Sequence, residues 1–107
     1  MIVIPKDVEN LIPTQFKELK QGVYRLTKIT TKSDWSMIKP GIFVEGPLSI
    51  VSRNLRPHVV VDNNNYNGTD YDSVRYIKTS PVVKVLDLTD GVLNFETEGG
   101  TYRLEKL

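Results

Sequence analysis

Apolar and polar residues alternate with a period of two through much of the chain, most cleanly over residues 82 to 107. Two dipeptides interrupt that stretch, Asp90-Gly91 and Gly99-Gly100, each of a kind that closes a two-residue hairpin. Residues 82 to 107 therefore read as a three-stranded antiparallel meander. Counting outward from two tight turns sets Leu88 against Leu93 and Leu86 against Phe95, then Phe95 against Leu104 and Thr97 against Tyr102. One face collects Leu86, Leu88, Leu93, Phe95, Tyr102 and Leu104. The other sets Glu96 across from Arg103, opposite charges on facing positions. A slip of one residue would exchange the two faces.

Upstream the period changes. Ile12, Phe16, Leu19 and Val23 recur at near-helical spacing between Pro13 and Gly22. This predicts a short helix from Thr14 to Gln21, capped by Thr14 and closed by a left-handed Gly22. It would plug one end or face of a sheet, with Lys17, Glu18 and Lys20 toward water. Over residues 23 to 30 β-forming residues take over, Tyr24 and Leu26 alternating with Arg25 and Thr27. A polar turn at Lys32, Ser33 and Asp34 leads to Trp35, Met37 and Ile38, and Pro40-Gly41 breaks the chain. Strands are expected at 42 to 45 and 48 to 51, with Gly46-Pro47 as a turn or bulge between them. Two more are expected at 58 to 61, begun by Pro57, and at 73 to 78, with Val74 and Tyr76 on one side and Arg75 on the other. Residues 62 to 72 form a polar loop. The chain is thus mainly β and a single domain: a small barrel or strongly bent antiparallel sheet of about six or seven strands with one short N-terminal helix. A helix packed on an open sheet is the alternative.

Composition narrows the functional classes. With 107 residues, 39% hydrophobic and 25% charged, the chain can bury a core. It has no cysteine, which removes disulfides, thiolate metal sites and a cysteine nucleophile, and favours the cytoplasm for so small a domain. The opening apolar run, ended by Pro5 and Asp7, is too short for a signal peptide or a membrane span. A net charge of +1 gives no global field for nucleic acid or an anionic membrane, so either would need a local patch.

Two segments invite a functional reading. The loop from Asp62 to Asp72 concentrates Asn63, Asn65, Tyr66, Asn67, Asp70 and Tyr71. Its asparagines mimic the first half of a calcium loop, but Asn63 stands where an acidic ligand is required and Val74 where the bidentate Glu belongs. Asn67-Gly68-Thr69 fits a glycosylation acceptor without a secretory segment to expose it. The loop is either a solvated connection or a recognition surface in which tyrosines supply contact area and Asn and Asp supply hydrogen bonds. The second segment carries Arg53, Arg56 and His58, which together could hold a phosphate or carboxylate. Tyr24 with Arg25 and Lys28, or Tyr76 with Arg75 and Lys78, could form a stacking platform for single strands. Asp70, Asp72 and Glu45 could converge as paired carboxylates. No nucleophile elbow, phosphate-cradling loop or histidine-rich metal set is present, so neither catalysis nor a cofactor is expected.

Thr79-Ser80-Pro81-Val82, Asp90-Gly91, Phe95-Glu96-Thr97 and Thr101-Tyr102-Arg103-Leu104 together resemble the C-terminal pattern of short accessory proteins of Gram-positive bacteria, their phages and mobile elements. The resemblance covers about the last quarter of the chain, lies in turn and strand residues, and implies a small cytoplasmic protein that binds rather than transforms. Some such proteins inhibit host defence or host enzymes. The expectation is accordingly a non-catalytic interaction protein that binds another protein through the 63 to 71 loop. The alternative is a small barrel binding nucleic acid or a nucleotide through Arg53, Arg56 and neighbouring tyrosines, and an enzyme comes third. Edge strands beginning at Pro57 or Pro81 could pair across a dimer axis.

Overall fold

A computed structural model describes residues 2–32, 38–68 and 71–107. Ser33, Asp34, Trp35, Met37, Thr69 and Asp70, used in the sequence reading, lie outside the described residues. Within them the alternating pattern builds seven strands: β1 (Val23–Thr31), β2 (Phe43–Arg53), β3 (Arg56–Asp62), β4 (Tyr76–Lys78), β5 (Val82–Thr89), β6 (Val92–Thr97) and β7 (Gly100–Lys106). They form one antiparallel sheet in the order β4-β3-β2-β1-β7-β6-β5. A 3-10 turn (Lys6–Val8) and a single helical turn, α1 (Thr14–Lys17), precede it.

The helix is half as long as its periodicity predicts. Pro13 occupies the N-cap position and Thr14 makes no capping bond. The turn ends at Lys17 because the carbonyl of Leu19 is taken by the amide of Ile2, which draws the chain out of helical geometry. Its core residues still serve: Phe16 is fully buried and meets the Phe95 ring edge-on at 5.2 Å, while Val23 opens β1 and is exposed.

Gly46-Pro47 bends one strand instead of separating two. Residues before Leu48 pair with β1, and Leu48 to Arg53 pair with β3, so β2 serves two neighbours in succession. The glycine is required there, since a Cβ would fall 2.2 Å from the carbonyl oxygen of Asp62. In β4 the inward residue is Ile77, not Tyr76, which is exposed on the edge strand. β3 lies between β2 and β4, but its ladder with β4 covers only Val60 to Asp62, so at Pro57 it pairs with β2 alone; β5, after Pro81, is an edge strand.

The two edge strands, β4 and β5, are consecutive and joined only by Thr79, Ser80 and Pro81. Six strand spacings would part the edges of a flat sheet by about 29 Å, whereas the link from Lys78 to Val82 can span at most about 14 Å. The sheet is therefore strongly curved. No ladder joins β4 to β5 among the described residues, so it is not closed into a barrel. Tyr24, Leu26, Val44, Val59, Val61, Leu93, Phe95 and Leu104 fill its concave side.

The meander forms with its Asp90-Gly91 turn as predicted, both residues at positive φ and Leu88 facing Leu93. Its second turn differs. Thr97 pairs with Gly100, so Glu98-Gly99 makes the turn and Phe95 faces Tyr102. Gly100 belongs to the strand because it lies against β1, where a Cβ would sit 2.1 Å from the Thr30 carbonyl oxygen. The register moves by two residues, an even number, and so Leu93, Phe95, Tyr102 and Leu104 all stay inside. Partners change instead: Arg103 faces Asn94, and Glu96 is bonded by Lys32 at 2.5 Å, which holds its carboxyl below the ordinary range. Irregularities in β5 also put Val85, not Leu86, opposite Phe95. Leu86 is consequently exposed, and Leu88, at the open end of the core, is 39% exposed.

Candidate functional site

The two segments singled out by sequence lie at opposite ends of β3, roughly 20 Å apart along that strand. They cannot act as one site.

At the Asp62 end the loop is largely occupied with its own fold. The amide of Asn63 donates to the carbonyl of Arg75 at 2.6 Å, and its side-chain oxygen accepts from the amide of Asn65 at 2.9 Å. The Tyr66 amide donates to the Asn63 carbonyl and its hydroxyl to that of Ser73, both at 3.2 Å. Asn63, Asn65, Tyr66 and Asn67 line a cleft of about 260 Å³ with Arg25, Phe43 and Glu45. Arg25 stacks over the Phe43 ring and pairs with Glu45 at 2.6 Å, so that carboxylate is already matched. Asp72 gives its main-chain carbonyl to the amide of Phe43. Tyr71 stands fully out in solvent. Asn63 and Tyr66 thus act as anchors of the connection.

The other end is different in kind. β2 and β3 are joined by Asn54 and Leu55, both at positive φ, the pattern of a type I′ hairpin turn. Such a turn places Arg53 directly opposite Arg56. The Lys78-Thr79-Ser80-Pro81 segment passes alongside, and together with His58 these residues line an open, solvent-facing cavity of about 410 Å³. Three side chains from sequence, Arg53, Arg56 and His58, are therefore brought together. Lys78, Ser80 and Asn54 join them unforeseen.

The floor of this cavity is rigid. Thr79 donates its amide to the Val59 carbonyl at 2.9 Å, and its hydroxyl accepts the Val59 amide at 3.1 Å while donating to the Ser80 carbonyl at 2.8 Å. His58 is buried, its Nδ1–H donating to the carbonyl of Thr79 at 2.7 Å. That bond fixes the ring and leaves Nε2 as a lone pair when the histidine is neutral. Arg56 forms an ion pair with Glu98 of the β6–β7 turn, and the Glu98 amide donates to the carbonyl of Pro81 at 3.0 Å. Among the described residues neither Arg53 nor Lys78 has a carboxylate partner.

Sequence reasoning missed Lys78 because the β3–β4 pairing that sets it opposite Val60 is not marked in the pattern, and Glu98 because it arrives through the curvature of the sheet. The usable signal was Arg53-Asn54-Leu55-Arg56 itself, a two-residue turn between strand patterns. Of the two proposed stacking platforms, the first does not exist. Tyr24 is core, with its hydroxyl donating to the Lys20 carbonyl at 2.6 Å, and Lys28 is buried under Tyr102. Tyr76 and Arg75 remain exposed. Among the described residues no group of three or more His, Asp or Glu side chains could hold a metal, and no helix is long and apolar enough to cross a membrane.

No family model, curated protein or solved structure matches the chain.

Proposed function

We propose that this is a non-catalytic interaction protein that engages a partner protein at the β2–β3 tip, taking an anionic group of the partner into the basic cavity. One observation carries the reading: Arg53 and Arg56 face each other across the ladder with Lys78 beside them, and among the described residues only Arg56 has a carboxylate partner. Like charges placed directly opposite weaken a sheet, so folding gives no reason for this arrangement, whereas an incoming anion does.

Leu55 adds support. It is 66% exposed and holds φ at 60°, a conformation that costs a branched residue about 1 kcal/mol or more. A turn built for stability would place glycine there. An apolar side chain projected beside a basic cavity suits contact with another protein surface, with Leu55 as anchor and the arginines as selectors. The resemblance of the C-terminal pattern to phage and mobile-element accessory proteins agrees with a binding role.

The test is a panel of peptides bearing Asp, Glu or phosphorylated residues, applied to the native chain and to a doubly reversed variant, Arg53→Glu with Lys78→Glu. The native protein should retain a subset that the variant loses, with the two melting alike. Equal retention by both would remove the cavity from the account.

A second reading, binding of single-stranded nucleic acid, draws on exposed Tyr76 between Arg75 and Lys78 on edge strand β4. It predicts retention on heparin that weakens steeply with salt.

A further inference from the structure

We infer that the group held in the basic cavity is a phosphate monoester on a side chain of the partner protein, and that Glu98 is its internal competitor. The inference rests on the binding reading above and specifies its ligand.

Charge decides between the candidate anions. Arg53, Arg56 and Lys78 bring three positive charges and Glu98 supplies one negative charge, so among the described residues two positive charges have no carboxylate partner. A carboxylate would leave one of them unmatched. A phosphate monoester carries about −1.5 to −2 near neutral pH and closes the balance. Its oxygens also need several donors at once. Two planar guanidinium forks across a hairpin suit that need, with the Lys78 ammonium as a point charge and the Asn54 amide and Ser80 hydroxyl as neutral donors lining the same space.

Charge also separates this ligand from a polynucleotide. A nucleic acid backbone presents one charge per phosphate and rewards an extended basic stripe. Here the basic residues are few and bounded by an acid, with Glu98 lying on Arg56. The positive field is confined to one pocket, enough for one dianion.

Glu98 marks where the dianion binds. Its carboxylate already satisfies Arg56 in the absence of ligand, and both side chains are about half exposed, so the pair is weak and exchangeable. An arriving phosphate has to share the Arg56 guanidinium with that carboxylate and bind against its repulsion. Removing the carboxylate should therefore tighten binding, while removing the cations should weaken it.

The experiment is an amide-resolved NMR titration with four probes: a phosphoserine peptide, the same peptide with glutamate in its place, inorganic phosphate and a single-stranded oligonucleotide. The expected result is saturable movement of the Asn54 and Ser80 signals with the phosphopeptide, at least about tenfold tighter than the glutamate peptide and tighter than phosphate alone. Arg53→Ala with Lys78→Ala should cost roughly tenfold or more with the remaining spectrum unchanged, and Glu98→Gln should tighten binding several-fold. Equal affinity for the glutamate peptide would overturn the phosphate inference and leave the binding reading standing. Inorganic phosphate binding as tightly as the peptide would remove the partner side chain as the source. Preference for the oligonucleotide, or no probe moving the cavity signals, would defeat both. An unchanged affinity in Glu98→Gln would refute the competitor role.

Discussion

Arg53 and Arg56 stand directly across from one another on β2 and β3, separated along the chain by two residues in left-handed conformation. Each side chain is held there by backbone geometry, not by attraction to the other. Arg56 is relieved in part by Glu98, and Arg53 has no such carboxylate among the described residues. Replacing Arg53 with Ala should leave stability unchanged or raise it by about 0.2–1 kcal/mol, read as an equal or higher denaturation midpoint in low-salt chloride buffer. A clear loss would mean that Arg53 has a structural role.

Leu55→Gly tests the turn. The substitution removes a left-handed branched residue from a solvent-exposed position. It should stabilise the protein by about 1 kcal/mol while weakening attachment to any partner. Destabilisation would show that the exposed leucine packs in solution.

The strongest backbone constraint is elsewhere, at Gly46. A methyl group there meets the Asp62 main chain, which cannot swing aside without parting β3 from β2. Gly46→Ala should cost on the order of 3 kcal/mol, measured by chemical denaturation. Gly91→Ala meets no steric obstruction, but φ at +80° makes it a milder strain case. The two variants should differ clearly.

Tyr102 gives the molecule an alkaline limit. Burial pushes its phenol up to about 12, and burial also raises Tyr24, partly offset by its bond to the Lys20 carbonyl. With the folded values above the unfolded value near 10, these groups contribute stability that is fully present below that value. It is lost as pH rises through the folded values. Buried Lys28 works in the opposite sense: its pKa is lowered by burial, so its contribution improves as it sheds its proton below 10.5. Denaturation midpoints should fall between pH about 10 and 12, and less steeply in Tyr102→Phe. An unchanged slope in that variant would place the titration elsewhere.

Much of this fold was legible in the residues. Asp90-Gly91 fixed its hairpin because both positions need positive φ, and the inward set of Leu93, Phe95, Tyr102 and Leu104 followed from alternation alone. Alternation has a period of two, however, and cannot detect a shift of two. It therefore assigns Gly99-Gly100 to the turn, whereas Gly100 is needed for close approach to β1. Leu86 went astray because a bulge adds a residue without any mark in the pattern. The candidate site was legible by half. Arg53, Arg56 and His58 sit within six positions of one another, whereas Lys78 joins them through the β3–β4 pairing and Glu98 meets Arg56 only once the sheet curves its two edges together.

The central claim, that the cavity at the β2–β3 tip is an anion site, is tested most directly by thermal unfolding in phosphate against chloride at matched ionic strength. The account predicts a saturable rise in Tm for the native chain that exceeds the general salting effect of phosphate. That excess should vanish in Arg53→Ala with Lys78→Ala. The same rise in both proteins would show that phosphate acts on the whole surface, and would contradict the site.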